Sequence, residues 1–99
     1  ASDAIVNKIG DHGLADHMFS LFIGHGIGVG ANEPPYIGET LPGATAVEFK
    51  PNMVFAVEPL VWVPGVRGGG GVRIEDMVLI TDGEAEVLSR VEYEERLLV

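Results

Sequence analysis

The stretch Met53-Val54-Phe55-Ala56-Val57-Glu58-Pro59-Leu60-Val61-Trp62-Val63 carries nine apolar residues out of eleven, interrupted only by Glu58 and Pro59. So apolar a run, rich in β-branched and aromatic residues, reads as a strand buried on both faces. An ionised carboxylate inside it is costly unless a cation meets it. Glu58 could pair with an arginine, or lie at a strand end where Pro59 breaks the ladder, or hold a metal ion. The turn before this strand has a chemical signature. In Lys50-Pro51-Asn52-Met53, Pro at the first central position and Asn at the second suit a type II turn, whose second central residue needs positive φ.

A second strand is expected over residues 72–81. Val72-Arg73-Ile74-Glu75-Asp76-Met77-Val78-Leu79-Ile80 again places charges inside an apolar run. Strand side chains alternate, so Arg73 and Glu75 would share a face, and a plain ion pair between them is the simplest reading. Taken with Glu58, however, two carboxylates on neighbouring core strands repel each other unless a cation lies between them. A divalent metal is the economical solution, and oxygen and imidazole ligands suit Mn, Fe, Co or Zn. After the Asp82-Gly83 turn, a strand is expected over residues 86–90, and the tail 92–99 reads as a short helix or a last strand. The connection 66–71 is Gly-rich and long enough to be mobile.

Upstream, Gly24-His25-Gly26-Ile27-Gly28-Val29-Gly30 has glycines at alternate positions and is followed by Ala31-Asn32-Glu33-Pro34-Pro35. This excludes a helix and predicts an extended segment ending in a loop, with residues 36–45 also loop. The prolines also exclude a dinucleotide fingerprint, which needs a helix N-terminus where they stand. A lone histidine is commonly structural, but the glycines around His25 allow close approach of a ligand or another strand. His12 and His17 read as surface residues. Ser2 can N-cap an opening helix with Ile5, Val6 and Ile9 on its apolar face and Gly10 or Gly13 at its end. Residues 14–23 suit a helix passing into extended chain.

Ninety-nine residues allow one small domain, and a hydrophobic content of 46% excludes intrinsic disorder. The formal charge of −9 argues against a nucleic-acid groove or an anionic membrane surface as partner. Apolar runs are interrupted before they reach a membrane span. With no Cys, any metal must be held by His, Asp or Glu. No signal peptide opens the chain, so a cytoplasmic location is expected. A chain beginning Ala1-Ser2-Asp3 looks like a piece of something longer.

Three blocks together resemble the C-terminal half of the pita-bread metallohydrolases: methionine aminopeptidase, aminopeptidase P, prolidase and creatinase. They are Gly24-His25-Gly26-Ile27-Gly28 continuing to Glu33-Pro34-Pro35, then Pro51-Asn52-Met53-Val54-Phe55-Ala56-Val57-Glu58-Pro59, then Gly71-Val72-Arg73-Ile74-Glu75-Asp76. The similarity runs from about Leu14 to Ser89. It implies an α+β fold with a curved, mainly antiparallel sheet. The helical opening would pack on the outer face and the ligands would cluster on the concave one. Residues 1–99 would then be the C-terminal part of a single catalytic domain.

The resemblance further implies two divalent metal ions held by two Asp, one His and two Glu. His25 and Glu58 match ligands of one metal, and Glu75 matches the carboxylate bridging both. A metal-activated hydroxide would attack the substrate carbonyl, with Glu58 shuttling protons. Arg73-Ile74-Glu75-Asp76 is closest to the proline-peptidase and creatinase branch, where the Arg orients a ligand carboxylate. The expected substrate is a peptide with Pro at its second position, and a homodimer is among the assemblies implied.

This chain departs from the family pattern in three places. The two Asp ligands belong upstream of Ala1, since Asp3, Asp11 and Asp16 are too close to His25 to substitute. The chain alone should therefore bind metal weakly and be inactive. Asn32 stands where peptidases of the family carry a His that bonds the substrate and the tetrahedral intermediate. Asn can donate a hydrogen bond but is no proton donor near neutral pH. This makes a creatinase-like amidinohydrolase the first alternative, and a non-catalytic binding module of the same fold the second. At 51–52, Pro-Asn replaces the family's Pro-Gly conservatively, because Asn tolerates left-handed φ.

Overall fold

Asn52 has φ +72° and the Met53 amide donates to the Lys50 carbonyl at 3.2 Å, so the expected type II turn forms. The structure is a computed structural model that describes residues 2–18, 22–38, 43, 45–67 and 69–97. The turn launches strand β3 (Val54–Val57). Antiparallel pairing joins β3 to β1 (Gly24–Gly26) on one side and to β6 (Asp76–Leu79) on the other. Outside these lie β2 (Glu33–Ile37) and β7 (Glu86–Val87), giving a five-stranded sheet in the order β2-β1-β3-β6-β7. A separate two-stranded ribbon joins β4 (Leu60–Trp62) to β5 (Gly71–Arg73). Every strand pair is antiparallel, and with the opening helix α1 (Ser2–Gly10) the architecture is α+β.

The two long expected strands are each divided in two. Residues 53–63 form β3 and β4, separated at Glu58–Pro59, because Pro59 has no N–H to give to a ladder. Residues 72–81 form β5 and β6, separated at Ile74–Glu75. The two interruptions face each other. Val57 pairs with Asp76 and Leu60 with Arg73, so a single register runs through both ladders and sets Glu58 opposite Glu75.

Four other expectations are corrected. Tyr36 and Ile37 belong to β2 instead of a loop: β2 is an edge strand, where prolines are tolerated. His25 pairs with Tyr36 and Gly26 with Glu33, so Pro34 and Pro35 occupy an irregularity in the register. The helix expected from residue 14 is only a single 3₁₀ turn at Ala15–His17, after which Met18 bridges to Val61; residues 19–21 lie outside the described residues. Helix α1 packs against that turn, none of its residues is buried, and Val6 is exposed, so it does not bury an apolar face on the sheet. The last strand covers only Glu86–Val87 of the expected 86–90, and the tail ends in one 3₁₀ turn at Glu95–Leu97.

Among the described residues the buried apolar side chains are Ile23, Ile37, Phe55 and Ala56, and the buried polar one is His25. All belong to β1, β2, β3 or the residue before β1. Trp62, Val66, Val72 and Ile74, on or beside the β4–β5 ribbon, are exposed. The radius of gyration, 14.6 Å, exceeds the roughly 13 Å of a compact domain this size. Among the described residues no helix is long and apolar enough to cross a membrane.

Strand β1 can lie between β2 and β3 because its glycines leave room. A Cβ at Gly26 would stand 2.8 Å from the Pro34 carbonyl oxygen and 2.9 Å from that of Glu33, both main-chain atoms. Gly26→Ala should therefore cost about 2 kcal/mol or more through a forced separation of β1 and β2. Urea unfolding of the full-length protein measures this; a midpoint equal to the parent's would contradict it.

Candidate metal centre

Register builds the site. His25 pairs with Ala56, and Glu58 lies two residues beyond Ala56 on the same chain, so the two side chains are diagonal neighbours on one face. The Glu58 amide still donates to the Ile23 carbonyl at 2.7 Å, which holds the residue in line although β3 has ended. As a result, His25 Nε2 lies 3.1 Å from Glu58 Oε1, with the His25 side chain 3% exposed and that of Glu58 12%. The same diagonal relation recurs in the ribbon, where Arg73 pairs with Leu60, two residues past Glu58. Arg73 reaches Glu58 Oε2 at 3.4 Å while remaining 48% exposed.

The imidazole's orientation follows from its other nitrogen. His25 Nδ1 lies 2.9 Å from the Gly26 carbonyl oxygen, an acceptor only, so Nδ1 carries the proton. In the neutral ring, Nε2 then turns a lone pair towards a carboxylate oxygen. Two acceptors 3.1 Å apart in a buried setting need a cation or a shared proton between them. A histidine that donates Nδ1–H to a main-chain carbonyl and offers Nε2 is the form that binds metals. The donor pair of imidazole nitrogen and carboxylate oxygen thus fits a borderline divalent ion. Phe22 supports the ring edge-on at 6.0 Å between centroids and also stacks at 5.0 Å on Tyr36.

The remaining candidates are placed differently. Glu75 stands opposite Glu58 in register but its side chain is exposed, and among the described residues no three His, Asp or Glu side chains converge. The expected Arg73–Glu75 pair is replaced by Arg73–Glu58, because the strand alternation that would align them is broken after Arg73. Asn32 lies exposed in the bend before β2. His12 is exposed and His17 half-buried.

Two contacts near the site had no signal in the sequence. Ser89 Oγ accepts from the Met77 amide at 2.7 Å, and the Tyr93 hydroxyl donates to Asp76 Oδ2 at 3.3 Å. The charge of Asp76, and its hydrogen bond, raise the Tyr93 phenol above its ordinary value of 10.0. Both contacts depend on the tail running back along β6, a long-range arrangement that no local pattern announces.

Comparison with known proteins defines the family and the fold. Residues 1–82 match the profile of metallopeptidase family M24, and the chain belongs to that family. It is 37% identical over 93 residues to an Xaa-Pro dipeptidase of Pyrococcus furiosus, covering 93% of this chain and 24% of that protein. It is 36% identical over 86 residues to a probable dipeptidase PepE of Mycobacterium bovis, covering 87% of this chain and 21% of the other. Among solved structures, dipeptidase PepE from Mycobacterium ulcerans superposes with a TM-score of 0.75 at 31% identity, covering 94% of this chain and 23% of that one. An X-Pro aminopeptidase from Thermotoga maritima gives 0.71 at 26% identity, covering 92% and 24%. The fold is accordingly that of part of a pita-bread enzyme. The chain spans about a quarter of the length of these relatives.

The contacts to Glu58 should differ in weight. Arg73→Ala removes a half-exposed ion pair and should cost about 1 kcal/mol or less. His25→Ala leaves a mostly buried carboxylate without its inner partner and empties a packed position, at about 3 kcal/mol. Denaturant unfolding of both variants in metal-free full-length protein checks the order; equal losses would contradict it.

Proposed function

We propose that this chain is the C-terminal part of a single catalytic domain of a metal-dependent peptidase that removes the residue preceding proline. The observation that carries the reading is the buried His25 Nε2 facing Glu58 Oε1 at 3.1 Å, with its tautomer set by Gly26. Its membership of a metallopeptidase family, and relatives named Xaa-Pro dipeptidase and X-Pro aminopeptidase, support the substrate class.

In this reading His25, Glu58 and Glu75 are ligands, and the rest of the protein supplies two aspartates. The two divalent ions, of the Mn, Co, Fe or Zn class, would activate water and polarise the scissile carbonyl. His25 offers one lone pair in a fixed direction, because Gly26 holds the other nitrogen and Phe22 supports the ring. Glu58 has two separately engaged oxygens, Oε1 towards His25 and Oε2 towards Arg73. Arg73 thereby orients the carboxylate without being a ligand itself. Glu58 also holds and returns a proton between the attacking water and the leaving amine. Asn32 donates a hydrogen bond to the substrate carbonyl from the bend after β1.

The experiment is metal analysis and hydrolysis of Xaa-Pro dipeptides by the full-length protein. The parent should release the first residue when supplied with Mn or Co and lose activity on chelation. Glu58→Ala and Glu75→Ala should each abolish turnover and lower the bound metal. Arg73→Ala should weaken metal binding about tenfold while retaining every ligand. An active, thoroughly dialysed protein containing no metal would overturn the reading. An inactive one that binds two metals would instead favour a hydrolase acting on another amide or C–N bond, the reading that Asn32 makes second.

A further inference from the structure

The loop between β1 and β2 has an internal brace that the mechanism above does not use. Its ends are fixed where Gly26 pairs with Glu33, and the Ile27 amide is anchored to the Val54 carbonyl at 3.2 Å. Between them run Ile27 to Asn32, which include two glycines. The Glu33 side chain turns back over this loop, and its Oε1 accepts from the Gly30 amide. The Gly28 amide donates to the Gly30 carbonyl at 3.3 Å, folding the loop tip beneath the carboxylate. The glycines make room for it. A Cβ at Gly28 would stand 3.0 Å from Glu33 Oε2, and one at Gly30 would stand 3.2 Å from Oε1. Val29, between them, is wholly exposed, so apolar burial does not hold the loop tip.

We infer that Glu33 is a positioning residue: its carboxylate braces the Gly28–Asn32 loop from within and so sets where Asn32 meets the substrate. The brace itself follows from contacts within this chain. Its consequence at Asn32 rests on the peptidase reading given above. A charged acceptor on a main-chain N–H is among the stronger hydrogen bonds, and here it closes the loop that leads directly from His25 to Asn32. Among the described residues Glu33 makes no hydrogen bond or ion pair with His25, Glu58 or Glu75, so its effect passes through the geometry of its neighbour.

Two measurements on the full-length protein test this. The first is amide hydrogen exchange over residues 27–32 in metal-free protein, which needs no activity. Glu33→Ala should speed exchange there about tenfold, the loss of one charge-assisted hydrogen bond, while leaving residues 54–57 unchanged. Glu33→Gln keeps an oxygen acceptor and should restore most of the protection. Gly30→Ala pushes the carboxylate off its place and should act like Glu33→Ala, with the double variant no worse than either single one. The second measurement is kcat/KM on an Xaa-Pro dipeptide. Glu33→Ala should lower it about tenfold, Glu33→Gln much less, and Glu33→Ala should add nothing once Asn32 is already alanine.

Unchanged exchange in Glu33→Ala overturns the brace. If that variant fails to fold, unchanged exchange in Gly30→Ala overturns it equally. Faster exchange with an unaltered kcat/KM overturns the link to Asn32. A parent protein that cleaves no Xaa-Pro bond, yet shows the expected exchange pattern, defeats the peptidase reading and leaves the brace standing.

Discussion

A buried imidazole nitrogen aimed at a carboxylate oxygen can exist only where the surrounding backbone holds both groups still. In this protein three strands do that work. Strand β1 carries His25 between β2 and β3, and the glycines on either side of it let the neighbouring main chains close in. Ala56, fully buried opposite His25, leaves space for the ring, and Phe55 anchors β3 from its other face. The few buried side chains of the described residues lie on or beside the three strands that carry this contact. Stability and chemistry are thus drawn from the same small volume, and a change in packing there alters both.

The paired interruptions of the two long hairpin arms place the other charges. A continuous hairpin from Val54 to Leu79 would fix Glu58 and Glu75 face to face within a ladder, like charge against like. Ending the ladders at that level frees both residues from regular pairing while the common register keeps them opposite. Glu58 then turns one oxygen to His25 and the other to Arg73, so a single carboxylate is held from both sheets. Its position depends on the five-stranded sheet and the ribbon together, which links the orientation of the site to the relative placement of the two sheets.

What was legible in the sequence follows the reach of each interaction. The Lys50–Met53 turn could be read because Pro51 and Asn52 impose their own dihedrals. Glu58 stood out because a carboxylate in an apolar run is an energetic anomaly wherever the chain goes, and His25 because glycines surround it. The break at Pro59 has a local marker, a residue without an N–H to give to the ladder, whereas the break at Ile74–Glu75 has none and follows from the register of its partner. Strand β2 was hidden because prolines signal loop unless the strand is known to lie at an edge, which only the sheet order reveals. Leu14 and Met18 mimic helical spacing, yet Met18 reaches a bridge with Val61 far along the chain. Glu33 was visible as part of a motif, but its role depends on a side chain turning back on its own loop.

The order of the strands along the chain has a consequence for biosynthesis. When residues through Trp62 have emerged, β1 and β3 can pair, but β3 still presents the bare edge of Val54–Val57 until β6 is made. A short, apolar, uncovered edge is the kind of surface that captures another chain. Covering it requires a loop to close across the ribbon, a contact distant in sequence and therefore slow to form. The nascent polypeptide is most vulnerable during that interval. The segment through Trp62 already carries seven Asp and Glu against two Lys, and that excess of like charge opposes association of such incomplete copies.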